Sequence, residues 1–377
     1  LALNQQVEKN NMTVKEIIHA LEDFAPLHYQ ESYDNSGLQI GDAEMEVTGV
    51  LVSLDVTEPV LAEAKERGCN MIVAHHPLLF SGLKSITGKN YIERIAKQAI
   101  KNDIAIYASH TNLDNMRGGV NAKIAERLKL KSAAILSMRS DTLSKLYTFV
   151  PQSAADKVRT ALFHAGAGDI GAYRECSFST NGTGTFKPED GANPTIGEAG
   201  GEREWVDEVK IEVLVQKHKA AQVLKALFES HPYEEVAYEF IVLQNANQEI
   251  GAGLVGTLEE PLEEHAFLSF LKQAMKTDCI RHTALTGKMV ERVAVCGGSG
   301  SFLLKEAMRA RADVFITGDF KYHQFFDADG KIVIADIGHY ESEQFTTELL
   351  KDILKKKFPN FAILLSNLST NPVKYFC

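Results

Sequence analysis

Residues 47–77 read VTGVLVSLDVTEPVLAEAKERGCNMIVAHHP, and this stretch decides the fold. Val47 to Leu54 is an apolar β-rich run, Glu58 to Arg67 has helical character, and Asn70 to Ala74 is a second apolar run that stops at two histidines. Such a succession predicts a strand-helix-strand unit. Laying Val50 on Val293 without gaps places Leu61 on Leu304, Glu63 on Glu306, Ala64 on Ala307 and the run before His75 on Val314 to Thr317. The unit therefore occurs twice, and the shared order of apolar and polar positions points to a duplication. Two further runs end near a histidine: Ile104 to Ala108 leads into His110, and Ile332 to Asp336 leads into His339. Strands alternating with helices predict largely parallel sheets, whose ligands gather at the carboxyl ends of the strands.

Between these halves, Leu143 to Gln244 has its own order of strand, helix, strand, strand, helix, strand. That is the split β-α-β, ferredoxin-like pattern. The Gly-rich stretch Asn181 to Gly201, with Pro188 and Pro194, predicts an extended loop instead of long regular structure. The expected organisation is an α/β fold of duplicated strand-helix units in two lobes, residues 12–142 and 245–377. A ferredoxin-like α+β domain is inserted over 143–244.

The 377 residues suit two or three domains, with 45% hydrophobic and 24% charged residues in the range of globular proteins. No apolar run approaches the roughly 18 residues of a membrane span. A formal net charge of -10 opposes a nucleic-acid-binding surface, which needs clustered Lys and Arg. Cys69, Cys176, Cys279, Cys296 and Cys377 are scattered with no C-x-x-C pair, which favours a reducing compartment. The opening Leu1 to Asn11 is polar, lacks the apolar centre of a signal peptide and leads into Met12, a candidate natural start. The expected location is the cytoplasm, with no membrane association.

His75 and His76 are followed by Pro77, which ends the strand. Side chains alternate along extended backbone, so neighbouring histidines can each serve a different ion, although a surface His-Pro turn has the same letters. His110 and Asp114 are four residues apart, as are His339 and Glu343. Helices beginning there would put each pair on one face, and imidazole beside carboxylate suits Zn, Mn or Fe. One such pair is adequately explained as a polar helix start; two pairs and a double histidine at equivalent strand ends favour metal. Asp114 and Glu343 are the bridging candidates, in a site suited to hydrolysis.

Cys296-Gly297-Gly298-Ser299-Gly300 lies between a strand and a helix, where bare amides could hold a phosphate. It lacks the P-loop lysine, and a tight packing turn is at least as good a reading. The repeat sets Asp319, in Thr317-Gly318-Asp319, opposite His76 and in the same cleft. His323, among Phe320, Phe325 and Phe326, reads as a packing residue. His231-Pro232-Tyr233-Glu234-Glu235 reads as a helix-to-strand connection.

Together, Ala74 to Pro77, Ser109 to Asp114, the Cys296 to Gly300 turn, Thr317 to Asp319 and Gly338 to Glu343 resemble the NIF-three-like dinuclear metal centre family, also called GTP cyclohydrolase I type-two homologs. The resemblance covers roughly Met12 to Leu130 and Gly251 to Tyr375. It implies two divalent transition-metal ions per chain, Zn foremost with Fe or Mn as alternatives. His75, Asp114 and Glu343 would hold one ion, and His76, His339 and Glu343 the other. His110, a ligand by the symmetry of the two pairs, becomes by resemblance a neighbour that orients a ligand or moves a proton. The middle segment is similar to the CutA/PII-like insert of longer bacterial members. Relatives form toroidal hexamers, so a homo-hexamer is expected. The implied activity is hydrolysis of a purine nucleotide or similar small polar substrate through a metal-activated water, with His110 or Asp319 carrying the proton. The alternative is a non-catalytic metal-binding regulatory or scaffold protein whose insert senses a ligand. Five ligands shared by two ions leave coordination positions open, which favours catalysis.

Overall fold

The apolar runs around the double histidine form buried parallel strands. Val50–Ser53 pairs with Met71–Ala74, which pairs with Ala105–Ala108; Ile363–Leu365 joins one edge in parallel and Gly37–Ile40 the other edge antiparallel. Every residue of the three central strands is buried, as a sheet covered on both faces requires. The first crossover is helical over Glu58–Glu66 because Thr57 caps it through the Val60 amide and a proline occupies the first turn, where no amide bond is lost. One face of the sheet packs Val50, Val52, Met71 and Val73 against Ile17, Leu21, Leu350 and Leu354.

The second half repeats this construction. Met289–Ser299, Val314–Gly318 and Val333–Asp336 are parallel, and Val293 sits beside Val314 as Val50 sits beside Met71. Arg281–His282, Asn247–Glu263 and Lys131–Arg139 complete a six-stranded sheet.

The computed structural model describes residues 12–376; the polar opening Leu1 to Asn11 lies outside them. The chain divides into two compact units, one running to Met138 and again from Gln248, the other Arg139–Asn247. Both sheets above belong to the first. No helix among the described residues is long and apolar enough to cross a membrane.

Lys131–Arg139 and Asn247–Glu263 are neighbouring strands. The chain therefore leaves and re-enters the larger unit side by side. Replacing residues 139–247 by a short flexible linker is expected to leave a folded protein with cooperative thermal unfolding, because the core of the larger unit is closed without them. Aggregation of every such variant would show the interval to be integral to folding.

The smaller unit is a four-stranded antiparallel sheet in the order Ser177–Phe186, Glu204–Gln216, Leu143–Pro151, Tyr238–Leu243. Helices Ala155–His164 and Ala220–Ser230 bury Val158, Leu162, Val223 and Leu227 against Leu146, Ile211, Val213 and Val215 on one face. Leu143–Pro151 and Glu204–Gln216, the first and third strands along the chain, are central, as in the split β-α-β arrangement. The loop expected from Asn181 begins only at Lys187. Residues up to Phe186 are strand, paired in register from Ser177 with Val213 to Phe186 with Glu204. Ladder bonds along that edge outweigh the weak strand preference of Gly182 and Gly184.

Candidate metal centre

Each candidate side chain leaves the end of a buried strand. The amides of His75 and His76 both donate to the Leu54 carbonyl, at 3.1 and 2.9 Å, which fixes the exit of the double histidine. His110 precedes the single turn Thr111–Asp114. His339–Glu343 is a turn entered through Gly338 at φ 93°, a left-handed conformation suited to glycine. The second turn brings Glu343 onto the face of His339, four residues earlier, whereas the first presents Asp114 to His75 and not to His110.

Five residues converge. Ligand atoms of His75, Asp114 and Glu343 form one group, and those of His76, His339 and Glu343 a second, all within 4.8 Å inside each group. Glu343 belongs to both. Its Oε1 lies 3.7 Å from His75 Nε2, while Oε2 lies 2.9 Å from His76 Nε2 and 3.1 Å from His339 Nε2. Asp114 Oδ1 is 3.6 Å from His75 Nε2. His75, His76 and His110 make a third group of this size.

The outward nitrogens are held by oxygens. His75 Nδ1 lies 2.8 Å from the Ser109 carbonyl, His76 Nδ1 2.7 Å from Asp55 Oδ1, and His339 Nδ1 2.7 Å from Asp319 Oδ2. A carbonyl only accepts, so His75 Nδ1 carries the proton. Burial pushes His75 below its ordinary pKa and keeps the ring neutral. Its Nε2 lone pair therefore faces carboxylate oxygens. That nitrogen and Asp114 Oδ1 are buried with no hydrogen-bond partner. Acceptors facing acceptors away from water are costly unless a cation lies between them. The donor set, nitrogen and carboxylate oxygen with the outer nitrogens anchored, fits divalent transition-metal ions.

The electrostatics agree. Burial and the neighbouring Glu343 charge push Asp114 well above the usual carboxylate range. For Glu343 burial works the same way, but the hydrogen bonds from His339 and His76 outweigh it and hold the group well below that range. Burial opposes protonation of His76, yet Asp55 and Glu343 push it up to about 10; His339, against the same opposition, is pushed to about 9 by Glu343 and Asp319. Positive charge is favoured around Glu343, and a metal ion there competes with these protons.

His76, His110, Asp319 and His339 border a cavity of about 750 Å³, together with Phe80 and Tyr375. His110 Nδ1 lies 2.7 Å from Asp34 Oδ1, and its ring centre 5.3 and 5.5 Å from those of His75 and His76. Burial opposes ionisation of Asp34, but the hydrogen bonds from His110 and Thr111 hold it well below the carboxylate range.

The glycine turn is not a row of bare amides. Gly297 donates to Asn121 Oδ1 at 3.0 Å, Gly298 to Ser342 Oγ at 2.9 Å and Gly300 to Thr317 Oγ1 at 2.9 Å. These partners make it a packing turn beneath Glu343. His323 is exposed, edge-on to Tyr322 and stacked on Phe326, away from the cavity lining. His231 lies at a helix end, its Nε2 3.0 Å from the Phe149 carbonyl.

Asp34 and Asp55 escaped the sequence reading. Asp55 stands just past the strand Val50–Ser53, so inspecting every strand end for carboxylates would have found it. Asp34 lies in an irregular stretch with no periodic signal.

Comparison with known proteins agrees with this architecture. A Bacillus subtilis protein named GTP cyclohydrolase 1 type 2 homolog is 40% identical over 367 residues, covering 96% of this chain and 98% of its own. The crystal structure of a Bacillus cereus protein related to NIF3 superposes with a TM-score of 0.85 at 38% identity, covering 97% of this chain and all of the other. A Staphylococcus aureus protein structure superposes with a TM-score of 0.77 at 30% identity, covering 97% and 99%. The family model Duf34/NIF3 (NGG1p interacting factor 3) matches residues 12–372, and the chain belongs to that family.

Proposed function

We propose that the chain is a metal-dependent hydrolase holding two divalent transition-metal ions, Zn foremost, and acting on a purine nucleotide or similar small polar molecule. One ion would be held by His75, Asp114 and Glu343, the other by His76, His339 and Glu343. The observation that carries this reading is Glu343, whose two oxygens face two groups of donors, one of them with buried, partnerless lone pairs. The name of the Bacillus subtilis relative supports the cyclohydrolase direction. The strand order of the smaller unit supports a CutA/PII-like insert. A homo-hexamer in the cytoplasm remains what the resemblance of the sequence implies and belongs to the same proposal.

Bound ions would supply Lewis acidity, lowering the pKa of water and stabilising an oxygen-rich transition state. The chain supplies positioning and proton transfer. His110 keeps its Nδ1 proton against Asp34 and offers Nε2 to the cavity as a proton acceptor. Asp319 holds His339 Nδ1, which gives it a positioning role in place of carrying the proton. Phe80, its ring 6.3 Å from that of His110, and Pro77 give the cavity an apolar wall that limits water.

Turnover of GTP and related purine nucleotides by metal-loaded and metal-stripped protein, followed by ultraviolet absorbance, tests the reading. His110→Ala is expected to keep its metal and lose about 100-fold in rate, the lower end of general acid-base contributions. Asp34→Ala should keep its metal and lower the rate, because it removes the carboxylate that orients the His110 ring through Nδ1. A metal-replete protein that turns over no nucleotide or other metabolite overturns the hydrolase in favour of a regulatory scaffold.

A further inference from the structure

The smaller unit contains a cavity unrelated to the metal centre. Its volume is about 660 Å³, within the range of small-molecule sites. The floor is the face of the sheet opposite the two helices: Val209 and Ile211 point into the helical core, so Glu208 and Lys210 point the other way. Gly182 pairs with Glu208 on that face, and a Cβ added at Gly182 would meet nothing within 4 Å. The missing side chain leaves room.

The roof is pinned. The Asn193 amide donates to Glu234 Oε1 at 2.8 Å and the Thr195 hydroxyl to the Pro232 carbonyl at 2.6 Å, tying the Gly-rich loop to the segment after the second helix. Three aromatic rings border the space, those of Phe149, Phe186 and Tyr233, with Phe186 and Tyr233 edge to face at 5.9 Å.

The charge around it is acidic. Glu189, Glu208, Glu234 and Glu235 line the cavity against Lys187 and Lys210. Lys210 is already neutralised: its Nζ lies 2.7 Å from Glu212 Oε1 and 4.0 Å from the centre of the Tyr147 ring. Glu208 receives the Tyr233 hydroxyl at 3.0 Å, a donor that orients the carboxylate without cancelling its charge. Aromatic faces with carboxylates attract an ammonium group on an apolar body and disfavour an anion.

We propose that this cavity is a binding site for a small organic cation, an amine carried on a planar apolar body, with Glu208 as its charge partner. The proposal is independent of the hydrolase reading, since none of these residues belongs to the metal centre.

Calorimetric titration of the full-length protein with tryptamine, against neutral tryptophol and anionic indole-3-propionate, tests it. Tryptamine should bind saturably at one site per chain, tryptophol at least tenfold more weakly, and indole-3-propionate more weakly still. Gly182→Val fills the floor with a strand-favouring residue and should weaken tryptamine at least tenfold with unchanged thermal unfolding. Glu208→Gln keeps the volume and an acceptor for Tyr233, and should bring tryptamine down to the level of tryptophol. Absence of saturable tryptamine binding, equal binding of the three compounds, or binding unaffected by either folded variant would overturn the proposal.

Discussion

Glu343→Gln is expected to remove most of the metal from the purified protein and to abolish turnover, while the fold is kept. The substitution changes little volume but exchanges a carboxylate for an amide at the residue both donor groups share. The negative charge between His76 and His339 disappears, and one of the two oxygens becomes an NH2 that faces an imidazole nitrogen or another donor. Exchanging an outer partner of a ligand costs about 10- to 100-fold in metal affinity, and a shared ligand should cost more. Elemental analysis of folded protein after reconstitution with Zn, Mn or Fe provides the readout. Wild type should hold close to two ions per chain and the variant fewer than one; His76→Ala, which removes a donor from only one of the two groups that Glu343 joins, should fall between them. Full metal retention by folded Glu343→Gln would remove the dinuclear reading.

The parts of this architecture that could be read from the sequence are those set by short periods. Buried parallel strands announce themselves as continuous apolar runs, so Val50–Ser53, Met71–Ala74 and Val314–Gly318 were visible, as was the alignment of Val293 on Val50. The double histidine and the two four-residue spacings were visible because a strand end and a single helical turn fix where side chains point. Their orientation was not. Ser109 holds His75 through its backbone carbonyl, which no residue type records, and Asp34 reaches His110 from a loop far away in sequence. Residues 181–186 were misread because strand pairing at that edge depends on the partner Glu204–Gln216 and not on local preference. The cavity above Gly182 was hidden for the same reason, being defined by what an edge strand and a pinned loop leave empty.

Gly298→Ala should cost the protein its metal nearly as completely as the loss of Glu343 charge, although Gly298 offers no ligand atom. Gly298 has φ 63°, so alanine there carries a backbone penalty of about 1–2 kcal/mol. The second effect is local. A Cβ at this position would overlap Glu343 Oε1 and come within 3.3 Å of both its carboxyl carbon and His339 Cε1. The backbone cannot withdraw freely, because the Gly298 amide donates to Ser342 Oγ within the same turn that carries Glu343. The carboxylate must therefore leave its present place, where Oε1 faces the partnerless Nε2 of His75. Gly68→Ala separates the two effects, since Gly68 has φ 70° and an added Cβ there would meet nothing within 4 Å. Both variants should lose a similar few degrees of melting temperature in the metal-free state. Only Gly298→Ala should lose metal by elemental analysis, and equal metal in the two would show that the glycine turn does not position Glu343.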